Sequence, residues 1–187
     1  MAVADSLSRL TLISGPAGSG KSRWAEHLAE RSGLAVHYLA TGPQASGDAS
    51  WQRRLERHRR RRPASWRCLE VGGALQEGLA ALPAADLALV DSLGTWVAAH
   101  LDCSDSGWER LGVGLVEELR RPGGPVLMVI EECGWGVVPA TAIGGLFRER
   151  LAALQRRLGE GCATSWLVLQ GRALNLHQLG LAVPAEA

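Results

Sequence analysis

Short runs of almost purely apolar residues alternate along this chain with longer stretches in which apolar residues recur every three or four positions. Residues 10–13, 35–40, 66–71, 87–90, 125–130 and 166–169 read as strands, and 174–176 as a short last one. Between them, 21–31, 51–62, 74–82, 93–101, 108–119 and 143–158 carry helical spacing. The breaks fall where breaking residues stand: Ser32-Gly33, Thr41-Gly42-Pro43, Pro63, Pro83 and Pro122-Gly123-Gly124. Strands that are apolar on both faces belong in a sheet covered on both sides. The pattern therefore predicts an α/β fold: a mostly parallel sheet with helices on both faces. In such sheets ligands bind beyond the carboxyl ends of the strands, so polar residues directly after an apolar run are the first functional candidates.

The first such place is the richest. The run 10–13 leads into Gly15-Pro16-Ala17-Gly18-Ser19-Gly20-Lys21-Ser22, which satisfies G-x-x-x-x-G-K-[ST] between a strand and a helix. Glycines allow the backbone to approach an anion, and successive N–H groups and the helix N-terminus converge on phosphates. Lys21 would reach the β- and γ-phosphates as a compact charge, and Ser22 would ligate Mg²⁺. Of 20 Lys plus Arg residues, Lys21 is the sole lysine, so every other cation in the chain is an arginine. Because the two side chains differ in hydration and charge distribution, a single lysine at this position reads as a chemical requirement. The fold expected is thus phosphate-loop NTPase-like.

Two more strand ends carry acids. Asp91 follows 87–90 directly and is either a second Mg²⁺ ligand beside Ser22 or a cap on the following helix. Glu131-Glu132 follow 125–130 and read equally as a general base or metal-linked pair, or as solvated carboxylates. A different signal is Arg57-His58-Arg59-Arg60-Arg61-Arg62. As a charge run it suits a solvated face or a nucleic-acid patch. As chemistry it suits more: surrounding positive charge disfavours imidazolium, and a neutral His58 is a nucleophile. Arginines around it would hold nucleotide phosphates, and attack at the α-phosphate would give a nucleotidyl-histidine. The tryptophans read first as core or interface residues; Trp135, between two glycines, is the one for which exposure against a large apolar substrate stands as the alternative.

Composition bounds the rest. The 187 residues suit one domain spanning 1–187, with 1–8 and 180–187 expected as flexible ends. A net charge of +1 supports no global attraction to nucleic acid, and no apolar run is long enough to insert stably in a membrane. Cys68, Cys103, Cys133 and Cys162 are scattered, which favours reduced, buried thiols in a cytoplasmic protein over zinc ligands or disulfides.

Together these residues resemble the bifunctional adenosylcobinamide kinase/adenosylcobinamide-phosphate guanylyltransferase family of cobalamin biosynthesis. The resemblance runs over about 10–176. It rests on the phosphate loop with Arg23; Tyr38-Leu39-Ala40-Thr41; Arg54-Leu55 with His58, Arg62-Pro63, Trp66 and Glu70; Val90-Asp91-Ser92-Leu93 with Trp96; and Glu132, Gly134, Gly136, Val137, Val138 and Pro139 before Phe147-Arg148. It implies that His58 is guanylylated by GTP. It implies nucleotide contacts at residues 15–22, at Ala40, Thr41 and Gly42, at Arg59, Arg60, Arg61 and Arg62, and at Glu70 and Asp91. It further implies Mg²⁺ with GTP (or ATP), adenosylcobinamide and its phosphate as acceptors, and a homotrimer. The chain departs from the family pattern at Gly18, Glu131, Ala142, Gly145 and Gln155, and its acidic cluster before the histidine helix is thinned to Asp48. A member retaining only guanylyl transfer, or a phosphate-loop kinase or NTPase with another acceptor, is the alternative.

Overall fold

The structure is a computed structural model that describes residues 7–43, 49–136 and 139–183. Seven strands, β1 (Leu7–Gly15), β2 (Val36–Ala40), β3 (Arg67–Glu70), β4 (Leu87–Asp91), β5 (Val126–Glu131), β6 (Cys162–Leu169) and β7 (Arg172–Asn175), form one sheet in the order β3-β2-β4-β5-β1-β6-β7. Every neighbouring pair is parallel except β6 and β7, which form an antiparallel hairpin. The helices are α1 (Lys21–Arg31), α2 (Ala49–Arg61), α3 (Leu75–Ala80), α4 (Leu93–Ala98), α5 (Asp105–Arg120), α6 (Ala142–Gly161) and α7 (Leu176–Leu179).

Alternation within the strands divides the core in two. Leu87 and Leu89 of β4, Leu127 and Val129 of β5, and Ile13 of β1 pack with Ala25 and Ala29 of α1. Ala88 and Val90, then Val126, Met128 and Ile130, face the other way, against Trp96, Leu115, Leu151 and Leu154 of α4, α5 and α6. Burial on both faces is why these strands lack a polar face. Trp96 is fully buried, and its Nε1 donates to Gly73 O at 3.0 Å, so its one polar atom is satisfied.

The differences from the sequence pattern have physical reasons. Strand β1 begins at Leu7, because β6 pairs with it there, so Leu7 and Ser8 are not a loose end. The helix expected over 93–101 stops at Ala98, where Arg150, buried under it, donates to the carbonyls of His100, Leu101 and Cys103 instead. β6 starts at Cys162, four residues before its apolar run, through pairing with β1. The short α7 went unrecognised because 176–179 spans barely one turn; Asn175 caps it by accepting from His177 N and Gln178 N. The cysteines are not uniformly buried: Cys162 is, whereas Cys68 and Cys133 are exposed.

Register assembles the site. Glu70, Ala40 and Asp91 lie side by side across β3, β2 and β4, and Gly15 lies opposite Glu131 across β1 and β5. The strand-end residues that the pattern singles out therefore share the carboxyl edge of the sheet.

Candidate functional site

The phosphate loop leaves β1 at Gly15 and enters α1 at Lys21. A Cβ at Gly15 would overlap the Val168 carbonyl oxygen and stand 2.7 Å from Ser19 Oγ, so only glycine lets the loop close against β6. Gly18, at φ +74°, sits in the left-handed region with open space around it. Lys21 is buried, and its Nζ donates to Pro16 O at 3.3 Å, across the concavity of its own loop. Ser19 Oγ is buried with no partner among the described residues, a hydroxyl left for an anion.

Asp91 is the hub of the neighbouring polar cluster. Its Oδ2 accepts from Tyr38 Oη at 2.6 Å and lies 3.4 Å from His58 Nδ1. Burial pushes the Asp91 carboxyl up, but hydrogen bonds from His58, Tyr38 and Ser22 outweigh it and hold the group below its ordinary range. Tyr38 is the complement: burial, then the Asp91 charge, keep its hydroxyl protonated well above the usual tyrosine range. Asp91 follows its strand as expected, but it does not cap α4. That task belongs to Glu131, whose Oε1 accepts from Ser92 Oγ (2.5 Å) and Oε2 from Gly94 N (2.9 Å). Glu131 is thus neither a solvated carboxylate nor a free base. Its contact with Gly94 is so close that a Cβ there would overlap the carboxylate. Thr41 is also occupied: its Oγ1 donates to Ser92 O (2.6 Å), accepts from Ser92 N (3.0 Å) and pairs with Thr95 Oγ1 (2.6 Å), tying β2 to the start of α4.

The arginine run does not form one cationic face, because successive residues on a helix point about 100° apart. Arg57 and Arg61 face the phosphate loop. Arg61 Nη2 donates to Glu26 Oε1 on α1 at 2.9 Å. The Arg62 guanidinium sits over the Tyr38 ring, its Cζ 3.4 Å from the centroid, and donates to Cys68 Sγ at 3.2 Å. Arg59 pairs with Glu70 at 3.5 Å. Among the described residues Arg60 pairs with Glu56 of its own helix, 3.8 Å away; its side chain is 83% exposed and it lines neither cavity of the site. Glu70 likewise lines neither cavity; it pairs with Arg59 and accepts from Cys68 Sγ, which in turn accepts from Arg62.

Two cavities meet here. One, of about 350 Å³, is lined by Gly18, Gly20, Lys21, Ser22, Arg23, Arg57, His58 and Arg61, and is strongly cationic. The other, of about 360 Å³, is walled by Tyr38, Ala40, Gly42, Leu55, His58, Arg62, Asp91, Ser92, Thr95, Cys133 and Phe147, among others, and is mostly apolar. His58 belongs to both. The thiol of Cys133, the other conceivable nucleophile, is pushed up by the partial burial of its side chain against the cavity and then by the Glu131 and Glu132 carboxylates, although the residue as a whole is exposed. Neither Cys133 nor Phe147 was a sequence-level candidate; an isolated cysteine and a helical phenylalanine carry no signal until the cavity forms.

Trp135 is 60% exposed, as its glycine neighbours suggest. Val137, Val138 and Asp48 lie outside the described residues. Among the described residues no helix is long and apolar enough to cross a membrane.

A strand, a glycine-rich loop and a helix at the carboxyl edge of a parallel sheet, beside a buried Asp91, define a phosphate-loop nucleotide-binding α/β protein. Residues 11–176 match the family described as cobinamide kinase / cobinamide phosphate guanyltransferase, and the chain belongs to that family of enzymes. It is 38% identical over 169 residues to the bifunctional adenosylcobalamin biosynthesis protein CobP of Pseudomonas aeruginosa, spanning 88% of this chain and 95% of that protein. To the bifunctional adenosylcobalamin biosynthesis protein CobU of Escherichia coli K12 it is 29% identical over 177 residues, or 87% of this chain and 96% of that one. A solved structure, "Structural study of Project ID PH0250 from Pyrococcus horikoshii OT3", superimposes with a TM-score of 0.55 at 8% identity, covering 91% of this chain and 86% of that one, a likeness of fold alone.

Proposed function

We propose that this protein phosphorylates adenosylcobinamide and then transfers GMP from GTP to the new phosphate, through a guanylyl group carried on His58. The observation that carries this is the position of His58 as the common wall of a cationic cavity on the phosphate loop and a mostly apolar cavity beside it. A nucleoside triphosphate laid across that wall has its β- and γ-phosphates among Lys21, Ser19 and the loop N–H groups, and its nucleoside against Ala40, Gly42 and Thr95. Its α-phosphate then faces His58. Attack forms an N–P bond and breaks the bond to the β-phosphate oxygen, which leaves with pyrophosphate. The acceptor phosphate later displaces His58.

Mg²⁺ fits the residues present. Ser22 and Asp91 offer a hydroxyl and a carboxylate in mutual hydrogen-bond contact, hard oxygen donors suited to that ion. With no cluster of three or more metal-ligating side chains among the described residues, the remaining ligands would be phosphate oxygens and water. Bound there, the ion neutralises phosphate charge. Lys21 supplies fixed positive charge for phosphoryl transfer, and Arg57 and Arg61 supply it on the opposite wall. The homotrimer belongs to the same proposal. Leu179, Leu181 and Val183, 71%, 98% and 90% exposed, give the carboxyl-terminal segment an apolar surface suited to a neighbouring copy.

The test is to incubate the protein with α-labelled GTP and Mg²⁺ and quench. An acid-labile, alkali-stable label is expected on wild type, absent from His58→Ala, and released by adenosylcobinamide phosphate. An unlabelled wild type overturns the guanylyl reading; γ-phosphate transfer without label would leave a phosphate-loop kinase of the ordinary kind.

A further inference from the structure

The apolar stripe of α6 is longer than the core it faces. Leu154 and Leu151 are buried in the core, and Phe147, one turn nearer the amino end, is partly buried and lines the apolar cavity. Ile143 continues the same row by one more turn, yet it is 56% exposed. Trp135 is exposed too, at 60%. The β5–α6 connection brings the two toward each other. Cys133 and Phe147 line one cavity, and Arg148 Nη2 donates to Gly134 O at 2.9 Å. Trp135 therefore leaves the connection beside the first two turns of α6, where Ile143 stands. A Cβ at Gly136 would meet nothing within 4 Å, so the space next to the indole is open.

This apolar surface borders the phosphate loop. Glu132 N donates to Gly15 O at 2.9 Å, so the connection that carries Trp135 starts against the first residue of that loop. The loop is thus approached by two kinds of surface. α2 brings Arg57, His58 and Arg61, groups suited to phosphates. The β5–α6 side brings Phe147, Ile143 and Trp135, which suit a large apolar body. Size identifies that body. The two cavities measure about 350 and 360 Å³, and in the proposed reaction a nucleoside triphosphate lies across both. A corrin macrocycle with its methyl and amide substituents is larger than either cavity. It must lie outside them, with only its alcohol arm reaching in.

We propose that Trp135 and Ile143 form the docking surface for the macrocycle of the acceptor. Phe147 makes that surface continuous with the apolar cavity, so the hydroxyl of the arm, and later its phosphate, is directed toward the phosphate loop. This rests on the reading that the acceptor is adenosylcobinamide. Both side chains determine specificity: they touch the ring of the acceptor and none of the reacting atoms. Truncating them weakens the acceptor and spares the guanylylation of His58, a step in which no acceptor takes part.

Equilibrium dialysis of adenosylcobinamide, followed by its visible absorbance, tests this without turnover. Trp135→Ala should raise Kd about tenfold and Ile143→Ser about threefold, whereas Trp135→Phe should keep most of the affinity. KM for adenosylcobinamide should rise in parallel, with kcat and the rate of label incorporation from α-labelled GTP within about twofold of wild type. Denaturant melts of the variants should match wild type, because both side chains are exposed. Equal affinity in wild type, Trp135→Ala and Ile143→Ser overturns the docking surface and leaves the proposed function standing. So does an altered oligomeric state of Trp135→Ala with unchanged acceptor affinity, which would mark a contact between copies. A wild type that binds no adenosylcobinamide overturns the acceptor reading, and the docking surface with it.

Discussion

His58 Nδ1 lies 3.4 Å from Asp91 Oδ2, joining the last turn of α2 to the carboxyl end of β4. The pair sets the histidine shared by the two cavities, the nucleophile of the proposed transfer, against a buried carboxylate, and Asp91 also receives Tyr38 and Ser22. Asp91→Asn keeps the volume and removes the charge. Guanylylation should fall about 10–100-fold, the usual effect of losing the partner that orients a reactive histidine, read as the rate of label incorporation.

The same carboxylate makes a prediction about acid. Its folded pKa is depressed, so its contribution to stability is complete above the ordinary aspartate value of 3.8 and is lost as pH falls through the lower folded value. The stability difference between wild type and Asp91→Asn, from urea melts, should shrink as pH is lowered from about 5 toward 2. A difference that stays flat over that window would contradict the assignment.

Lys21 is buried within its loop. Lys21→Ala should reduce γ-phosphate transfer by at least about a hundredfold, as removal of a positioned charge at a transition state does. Lys21→Arg should not restore it, because a planar fork cannot replace a point charge in that concavity. Steady-state kinase rates decide both.

Gly15→Ala puts a Cβ on the Val168 carbonyl oxygen and close to Ser19 Oγ. The serine hydroxyl can rotate but the carbonyl is backbone, so the loop or β6 must move. A loss of about 1–3 kcal/mol in unfolding free energy is expected, together with weakened nucleotide binding. Denaturant melts and nucleotide titration measure the two effects.

Arg60 and Arg62 differ although both belong to the arginine run. Arg60→Ala should leave stability within about 0.5 kcal/mol of wild type and leave label incorporation unchanged. Arg62→Ala removes the guanidinium that sits over the Tyr38 ring and lines the apolar cavity. It should cost about 1 kcal/mol and raise KM for GTP. Arg62→Lys should not rescue it, since an ammonium cannot replace the planar guanidinium over the ring.

The contrast between these two arginines marks where sequence reading stops. The phosphate loop was fully legible because it is contiguous: a strand end, three glycines, a lysine and a helix start carry their own local conformation. His58 stands out in sequence because its neighbours change its chemistry, and the structure sets it where the two cavities meet. The alternation of Leu87 to Val90 and Val126 to Ile130 likewise declared strands buried on both faces. Glu131 was misplaced because its partners, Ser92 and Gly94, lie in another βα connection, and only the adjacency of β4 and β5 brings them together. Glu26 carried no signal at all; it was one more acid on an amphipathic helix until α2 set Arg61 against it.

Local conformation and the period of burial are written into neighbouring residues, so the chain alone determined a parallel α/β sheet, a phosphate loop and a histidine in an arginine setting. Strand order and helix phase are long-range matters. Tertiary structure alone decided that β2 and β4 set Tyr38 against Asp91, that α2 turns His58, Arg57 and Arg61 inward but Arg60 outward, and that two cavities share one histidine. Those relationships depend on which buried faces meet, and no short stretch of sequence contains them.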